Sequence, residues 1–221
     1  MQDRKHHTHA VIMGDLVDSQ SARSIDGLHR QFNDAIAYAN RTYEKAITSP
    51  LTITLGDEFQ GLCRDLHTGM EIIRDVRTML INNGVECRFV LGLANIETPL
   101  NVEKSWNMMG QGLAAARKKL NDKHDPNAYR FQLPDDVIEP LLNTIGLSLT
   151  LIEREWTERQ KEVLSIFRNS SGTVSEHATK LGVTPRTLYK IRTAARLDFY
   201  ENQWEVVNQT IAKLDQRYHL A

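Results

Sequence analysis

The apolar positions change period along the chain, and each change predicts an element. Ala10–Met13 is a short apolar run ending at Gly14-Asp15, the pattern of a strand that runs into a loop. Leu28, Phe32, Ala35, Ile36, Ala39 and Tyr43 then recur at helical spacing, until Ser49-Pro50 breaks the pattern. Leu51, Ile53 and Leu55 alternate with Thr52 and Thr54, which predicts a half-buried strand. Gly56-Asp57 is a turn signal, so Phe59–Cys63 reads as the returning strand of a hairpin. Leu66, Met70, Ile73, Val76 and Leu80 mark a second helix that stops near Asn82-Asn83-Gly84. Val85–Ala94 predicts a strand, Met108–Leu120 a third helix and Tyr129–Leu133 a last short strand. The order β-α-β-β-α-β-α-β is the split βαβ, ferredoxin-like arrangement with an added helix and strand, an α+β fold.

Beyond this region the pattern is helical. Pro134–Leu151 carries Val137, Ile138, Leu141, Leu142, Ile145 and Leu147, and reads as a packed helix rather than a loose linker. Thr157-x-x-Gln160 is a capping box opening a helix with Val163, Leu164 and Phe167 on its apolar face. After Ser170-Ser171-Gly172, the segments Val174–Leu181, Gly182–Pro185 and Arg186–Ala195 read as helix, tight turn and helix. Ala178 stands four residues before Gly182, where a small residue lets two helices cross closely. Leu181, Val183, Leu188 and Ile191 supply the core, and Thr184-Pro185 is an N-cap followed by a first-turn proline. His177 departs from this pattern, at a position that is usually aliphatic. Phe199–Val206 reads as a wing hairpin and Val207–Tyr218 as a closing helix. The expected organisation is an α/β domain over residues 1–150 and a helix-turn-helix domain, winged or not, over 151–221.

Composition narrows the class. Hydrophobic residues at 41% and charged residues at 25% are ordinary globular values. No apolar run approaches a membrane span, and the polar start is not a signal peptide, so the expected location is the cytoplasm. Cys63 and Cys87 lie far apart and outside any CxxC pair, as expected of reduced, buried thiols. His6, His7 and His9 read as a frayed terminus rather than a metal site. The net charge of −1 hides an asymmetry, because residues 1–150 hold 16 Lys/Arg against 19 Asp/Glu and residues 151–221 hold 11 against 9. Lys180, Arg186, Lys190, Arg192 and Arg196 fall in a stretch without an acidic residue, a surface suited to a polyanion or simply to water.

The candidate chemistry sits at two places that this topology brings together. Asp15 ends the first strand and Asp57-Glu58 sit at the hairpin tip, so their carboxylates converge. Like charges that close favour a cation, here Mg²⁺ or Mn²⁺, and paired divalent ions roughly 3.5–4 Å apart activate a hydroxyl and stabilise a leaving phosphate. The following loop, with Leu16, Val17, Asp18 and Ser19, then Gln20 and Ser21, offers N–H groups and hydroxyls to phosphates. A hairpin turn at Gly56-Asp57 and a helix cap at Asp15 or Asp18 account for the same residues without a ligand. On the second helix of the C-terminal pair, Arg186, Thr187, Tyr189, Lys190 and Thr193 face away from the core, where a recognition helix reaches phosphates and base edges of double-stranded DNA. Packing against the first domain or a partner protein explains the same pair. One such unit binds weakly alone, so a homodimer is expected.

Val11–Val17 resembles the first strand of class III nucleotidyl cyclases, which ends in a metal-binding Asp. Ile53–Phe59 resembles the second metal hairpin of those cyclases and the GGDEF signature of diguanylate cyclases. Arg88–Leu93 resembles the next cyclase strand, and Trp106–Leu120 the helix that supplies an Asn and an Arg to the transition state. Over roughly residues 8–200 the chain resembles the bacterial SatD family, with Gly14–Ser19 and Leu55–Gly61 as its specific parts. The resemblance implies metal on Asp15 and Asp57, with Glu58 beside them, and phosphate contacts from Arg117 or Lys118. It also has departures. Leu55 replaces the first GGDEF glycine, Ile53 falls near a base-reading Lys, Ala114 replaces the Asn, and the Arg is about one residue out of register. Metal-dependent binding of a nucleoside triphosphate is therefore better supported than cyclisation. Three readings follow: a DNA-binding regulator with a nucleotide-sensing domain, a working nucleotidyl cyclase or nucleotidyltransferase, and a scaffold acting through protein partners.

Overall fold

A computed structural model describes residues 8–17 and 24–220. The strands are β1 (Thr8–Leu16), β2 (Ile47–Ile53), β3 (Glu58–Cys63), β4 (Cys87–Ile96), β5 (Gly110–Gln111) and β6 (Tyr129–Gln132). Between and after them lie helices α1 (Ile25–Thr42), α2 (Leu66–Asn82), α3 (Leu113–Leu120), α4 (Ile138–Arg154), α5 (Glu158–Asn169), α6 (Val174–Lys180), α7 (Pro185–Ala194) and α8 (Leu197–Arg217). The sheet order is β2-β3-β1-β4, with β5 antiparallel and β6 parallel along the outer side of β4. β1 pairs antiparallel with both β3 and β4, as the split βαβ reading requires.

Alternation along the strands divides the sheet into two faces. Ala10, Ile12 and Leu16 join Phe59, Phe89 and Leu91 under α1 and α2, whereas Val11 and Met13 join Leu62 and Val90 under α3. α2 is buried on both sides, because α5 and α8 pack against the flank that the sheet leaves uncovered. Two aspartates serve its N-terminus. Asp65 accepts from Thr68 N at 2.7 Å, and Asp215 of α8 accepts from Leu66 N at 2.8 Å and His67 N at 3.0 Å. Both close the open amide end of a helix.

Ser49-Pro50 lies inside β2 rather than before it, and Leu55 is exposed beyond the strand's end; two further expectations fail. The third helix starts at Leu113, not Met108, because residues 110–111 pair with β4. A Cβ at Gly110 would lie 1.9 Å from Asn95 O, so only glycine lets the chain run that close. The wing hairpin expected at Phe199–Val206 is instead part of α8. Tyr200, Trp204, Val207, Ile211 and Leu214 recur at helical spacing on its buried face, and that burial outweighs the aromatic, strand-like composition of the segment. The residue 150 boundary falls within α4. Among the described residues no helix is long and apolar enough to cross a membrane.

Candidate functional site

At one end of the sheet Asp15 is the cross-strand partner of Glu58 on β3 and of Arg88 on β4. Residues directly opposite each other project from the same face, so Glu58, Asp15 and Arg88 form a row on the α3 side. Arg88 Nε lies 3.1 Å from Asp15 Oδ2, and the two side chains are only 11% and 14% exposed. The hairpin is locked to this row through its backbone, because Leu16 N donates to Asp57 O at 3.0 Å. Its turn depends on Gly56 at φ +87°, a conformation other residues adopt with strain. Gly14 has a different reason. A Cβ there would meet Phe59 Cε1 at 2.2 Å, so the glycine makes room for the ring that anchors the hairpin in the core.

The row is electrostatically incomplete. Burial pushes the Asp15 pKa up to about 6, and Asp57 and Glu58 add to the rise while Arg88 and Lys123 oppose it. Arg88 pairs directly with Asp15, and Asp57 and Glu58 bring like charge to the same carboxyl. Among the described residues no three His, Cys, Asp or Glu side chains gather as a ready metal cage. Mg²⁺ does not require one, since it takes one or two carboxylates and completes its shell with water and phosphate. Asp15 and Asp57 are chemically suited to such a role.

The other expected residues divide. Arg117, exposed on α3, donates to Gln60 Oε1 at 3.0 Å, and Gln60 in turn donates to Ser105 O at 3.1 Å. Lys118 is exposed beside it, and Ala114 offers no hydrogen-bonding side chain. The backbone N–H of Leu16 is taken by Asp57, and that of Val17 donates to Glu86 O at 2.9 Å. Asp18, Ser19, Gln20 and Ser21 lie outside the described residues, as do His6 and His7. Sequence reasoning missed Arg88 and Lys123. A basic residue at the start of an otherwise apolar strand was the available signal for Arg88.

In the C-terminal region, α6 and α7 are joined by the turn at 181–184, where Gly182 has φ +66°. Thr184 caps α7 by accepting from Thr187 N at 3.1 Å, and Leu188 is fully buried. Arg186, Thr187, Tyr189, Lys190 and Thr193 are all exposed. His177 fits its apolar position because its ring meets Phe167 edge-on at 4.5 Å and its Nε2 pairs with Ser170 O at 3.1 Å.

The SatD family model matches residues 9–209. No curated protein matches the chain. Among solved structures, a bacterial light-regulated adenylyl cyclase aligns with a TM-score of 0.43 and 10% identity, over 56% of this chain and 42% of its own length. The guanylate cyclase domain of RhGC from Catenaria anguillulae, in complex with GTP, aligns with a TM-score of 0.37 and 16% identity, over 51% of this chain and 71% of its own. The monomeric guanylyl cyclase domain of the RhoGC fusion protein from Blastocladiella emersonii aligns at 0.39 and 14%, over 51% and 74%. The chain thus spans less than half of the adenylyl cyclase that it matches.

Proposed function

The chain belongs to the SatD family, and we propose that it is a DNA-binding regulator whose α/β part senses a nucleotide through Mg²⁺ or Mn²⁺ on Asp15 and Asp57. The observation that carries this reading is the row Glu58–Asp15–Arg88, with Asp57 beside it and an Asp15 carboxyl that burial and like charge hold near pKa 6. A divalent cation bridging to a phosphate relieves that like-charge repulsion. Sensing is favoured over turnover because Arg117 is engaged by Gln60 and Ala114 cannot donate, which leaves few groups for a developing charge. The exposed side chains of α7 supply a surface for the phosphate backbone and base edges of duplex DNA, and two copies would read two half-sites.

The test is to incubate the purified protein with each nucleoside triphosphate and Mn²⁺ or Mg²⁺, with Asp57→Ala alongside. Binding is followed by calorimetry and products by chromatography. The expected result is metal-dependent binding of at least one nucleotide, lost in Asp57→Ala, without turnover. A cyclic or linked nucleotide made only by the unmutated protein would replace the sensor by an enzyme. Absence of binding to every nucleotide would overturn the sensor reading, and failure to bind metal and DNA as well would leave a scaffold.

A further inference from the structure

Beside the carboxylate row, at the end of the sheet where β4 and β6 begin, lies a cavity of about 110 Å³. Four cations line it: Arg88, Lys123, Arg130 and Arg154. Two carboxylates, Glu86 and Asp125, line it as well, and each is held by a buried arginine. Glu86 accepts from Arg77 Nη1 at 3.0 Å, and Asp125 lies 3.3 Å from Arg130 Nε.

Arg130 has its donors and its charge already engaged. Its Nη1 donates to Leu120 O at 3.0 Å and also to Lys119 O, its Nη2 to Asp125 O at 2.6 Å and its Nε to Asn127 O at 2.9 Å. Arg88 is paired to Asp15 on its Nε edge. Lys123 and Arg154 are exposed and make no ion pair among the described residues. With Arg88 set against Asp15, Arg130 against Asp125 and Arg77 against Glu86, Lys123 and Arg154 remain as the cations of the cavity without an ion pair among the described residues.

We infer that this cavity is a phosphate-binding site, in which an anionic phosphate group is held by Arg88, Lys123 and Arg154 a short step from Asp15. Several observations support it. The cavity has room for a phosphate group. Guanidinium and ammonium groups give phosphate oxygens their strongest hydrogen bonds. Its own carboxylates are neutralised from outside the cavity by Arg77 or within it by Arg130. Arg88 belongs to both places, so a nucleotide with metal at Asp15 and Asp57 can lay a phosphate into the cavity. The inference deepens the nucleotide-sensing reading by placing one phosphate, and free inorganic phosphate shares the same chemistry.

The experiment measures binding of inorganic phosphate without metal, and of nucleoside triphosphates with Mn²⁺, by calorimetry. The variants are Lys123→Ala, Arg154→Ala, their combination, Asp57→Ala, and Lys213→Ala as an exposed charge control on α8. Both cavity positions are exposed, so unchanged circular dichroism confirms intact folding. The expected result is saturable phosphate binding by the unmutated protein and by Asp57→Ala, weakened roughly tenfold for each cation removed and unchanged in Lys213→Ala. Competition between phosphate and a nucleotide identifies the nucleotide as the source of the group; phosphate binding without nucleotide binding identifies the free ion and sinks the sensor reading alone. Nucleotide binding that ignores both cavity substitutions overturns the cavity and leaves the sensor reading intact. Phosphate binding that falls equally in Lys213→Ala, or that never saturates, overturns the inference.

Discussion

Arg77 of α2 and Glu153 of α4 meet at 2.9 Å, with only 1% of either side chain exposed. Glu153 also accepts from Tyr129 and from Tyr200 of α8, the latter at 2.7 Å. Arg77 also donates to Cys87 O at 3.0 Å, next to the Arg88 that pairs with Asp15. Burial works against the charge on Arg77, yet Glu153, Tyr129 and Glu86 outweigh it and raise its pKa. Burial and the Glu153 charge together push both tyrosines well above their ordinary values. One buried carboxylate therefore ties β6, α2, α4 and α8 together.

Removing one side of that pair strands the other in the core. Glu153→Ala is expected to destabilise the protein by about 3–5 kcal/mol, and Arg77→Met combined with Glu153→Leu by clearly less than either single change. Urea unfolding of Glu153→Ala, of Arg77→Met and Glu153→Leu singly, and of the last two combined decides it. A double variant as weak as the sum of the singles would show that the charges are not coupled.

Gly14→Ala places a methyl group within 2.2 Å of Phe59, whose ring is fully buried against Phe32 and Phe89. The expected loss is about 1–3 kcal/mol, the usual range for overpacking a core. Adding Phe59→Leu should recover part of it, and thermal melts of the single and double variants measure the recovery. No recovery would place the fault in the β1 backbone rather than in the ring.

Asp15 carries a pH signature. The folded protein keeps its proton up to about pH 6, whereas the unfolded chain releases it near 3.8. Its contribution to stability is therefore present at low pH and declines as pH rises through that window. Asp15→Asn removes the decline, so its melting temperature should gain on that of the unmutated protein between about pH 4 and about pH 7. Mn²⁺ should raise the melting temperature of the unmutated protein more above pH 6 than below it, and leave Asp15→Asn unchanged. An equal metal response in the variant would remove Asp15 from the metal site.

On α7, Arg186→Ala and Lys190→Ala should each weaken binding to duplex DNA and reduce the steepness of its salt dependence by about one phosphate contact. Both side chains are exposed, so stability should stay within about 0.5 kcal/mol of that of the unmutated protein. Fluorescence anisotropy across a salt series is the measurement. Unaltered affinity in both variants would move the DNA contact elsewhere or remove it.

Local pattern determined much of this molecule. Period-two and helical spacing placed the strands and helices of the split βαβ core, because an element only has to turn its own apolar side inward. The Gly14-Asp15 and Gly56-Asp57-Glu58 motifs marked the two strand ends of the site, and Thr184-Pro185 marked the start of α7. Where a segment's partner decides its form, pattern alone misled. Gly110 and Gln111 entered the edge of β4 instead of a helix, and Phe199–Val206 joined α8 because Trp204 and its neighbours had a core to fill. Only the tertiary structure set Arg88 against Asp15, gathered Lys123, Arg130 and Arg154 around one cavity, and raised the Asp15 pKa. The reason is physical: the charge state of a side chain depends on burial and on groups distant in sequence, which the order of residues along one strand does not contain.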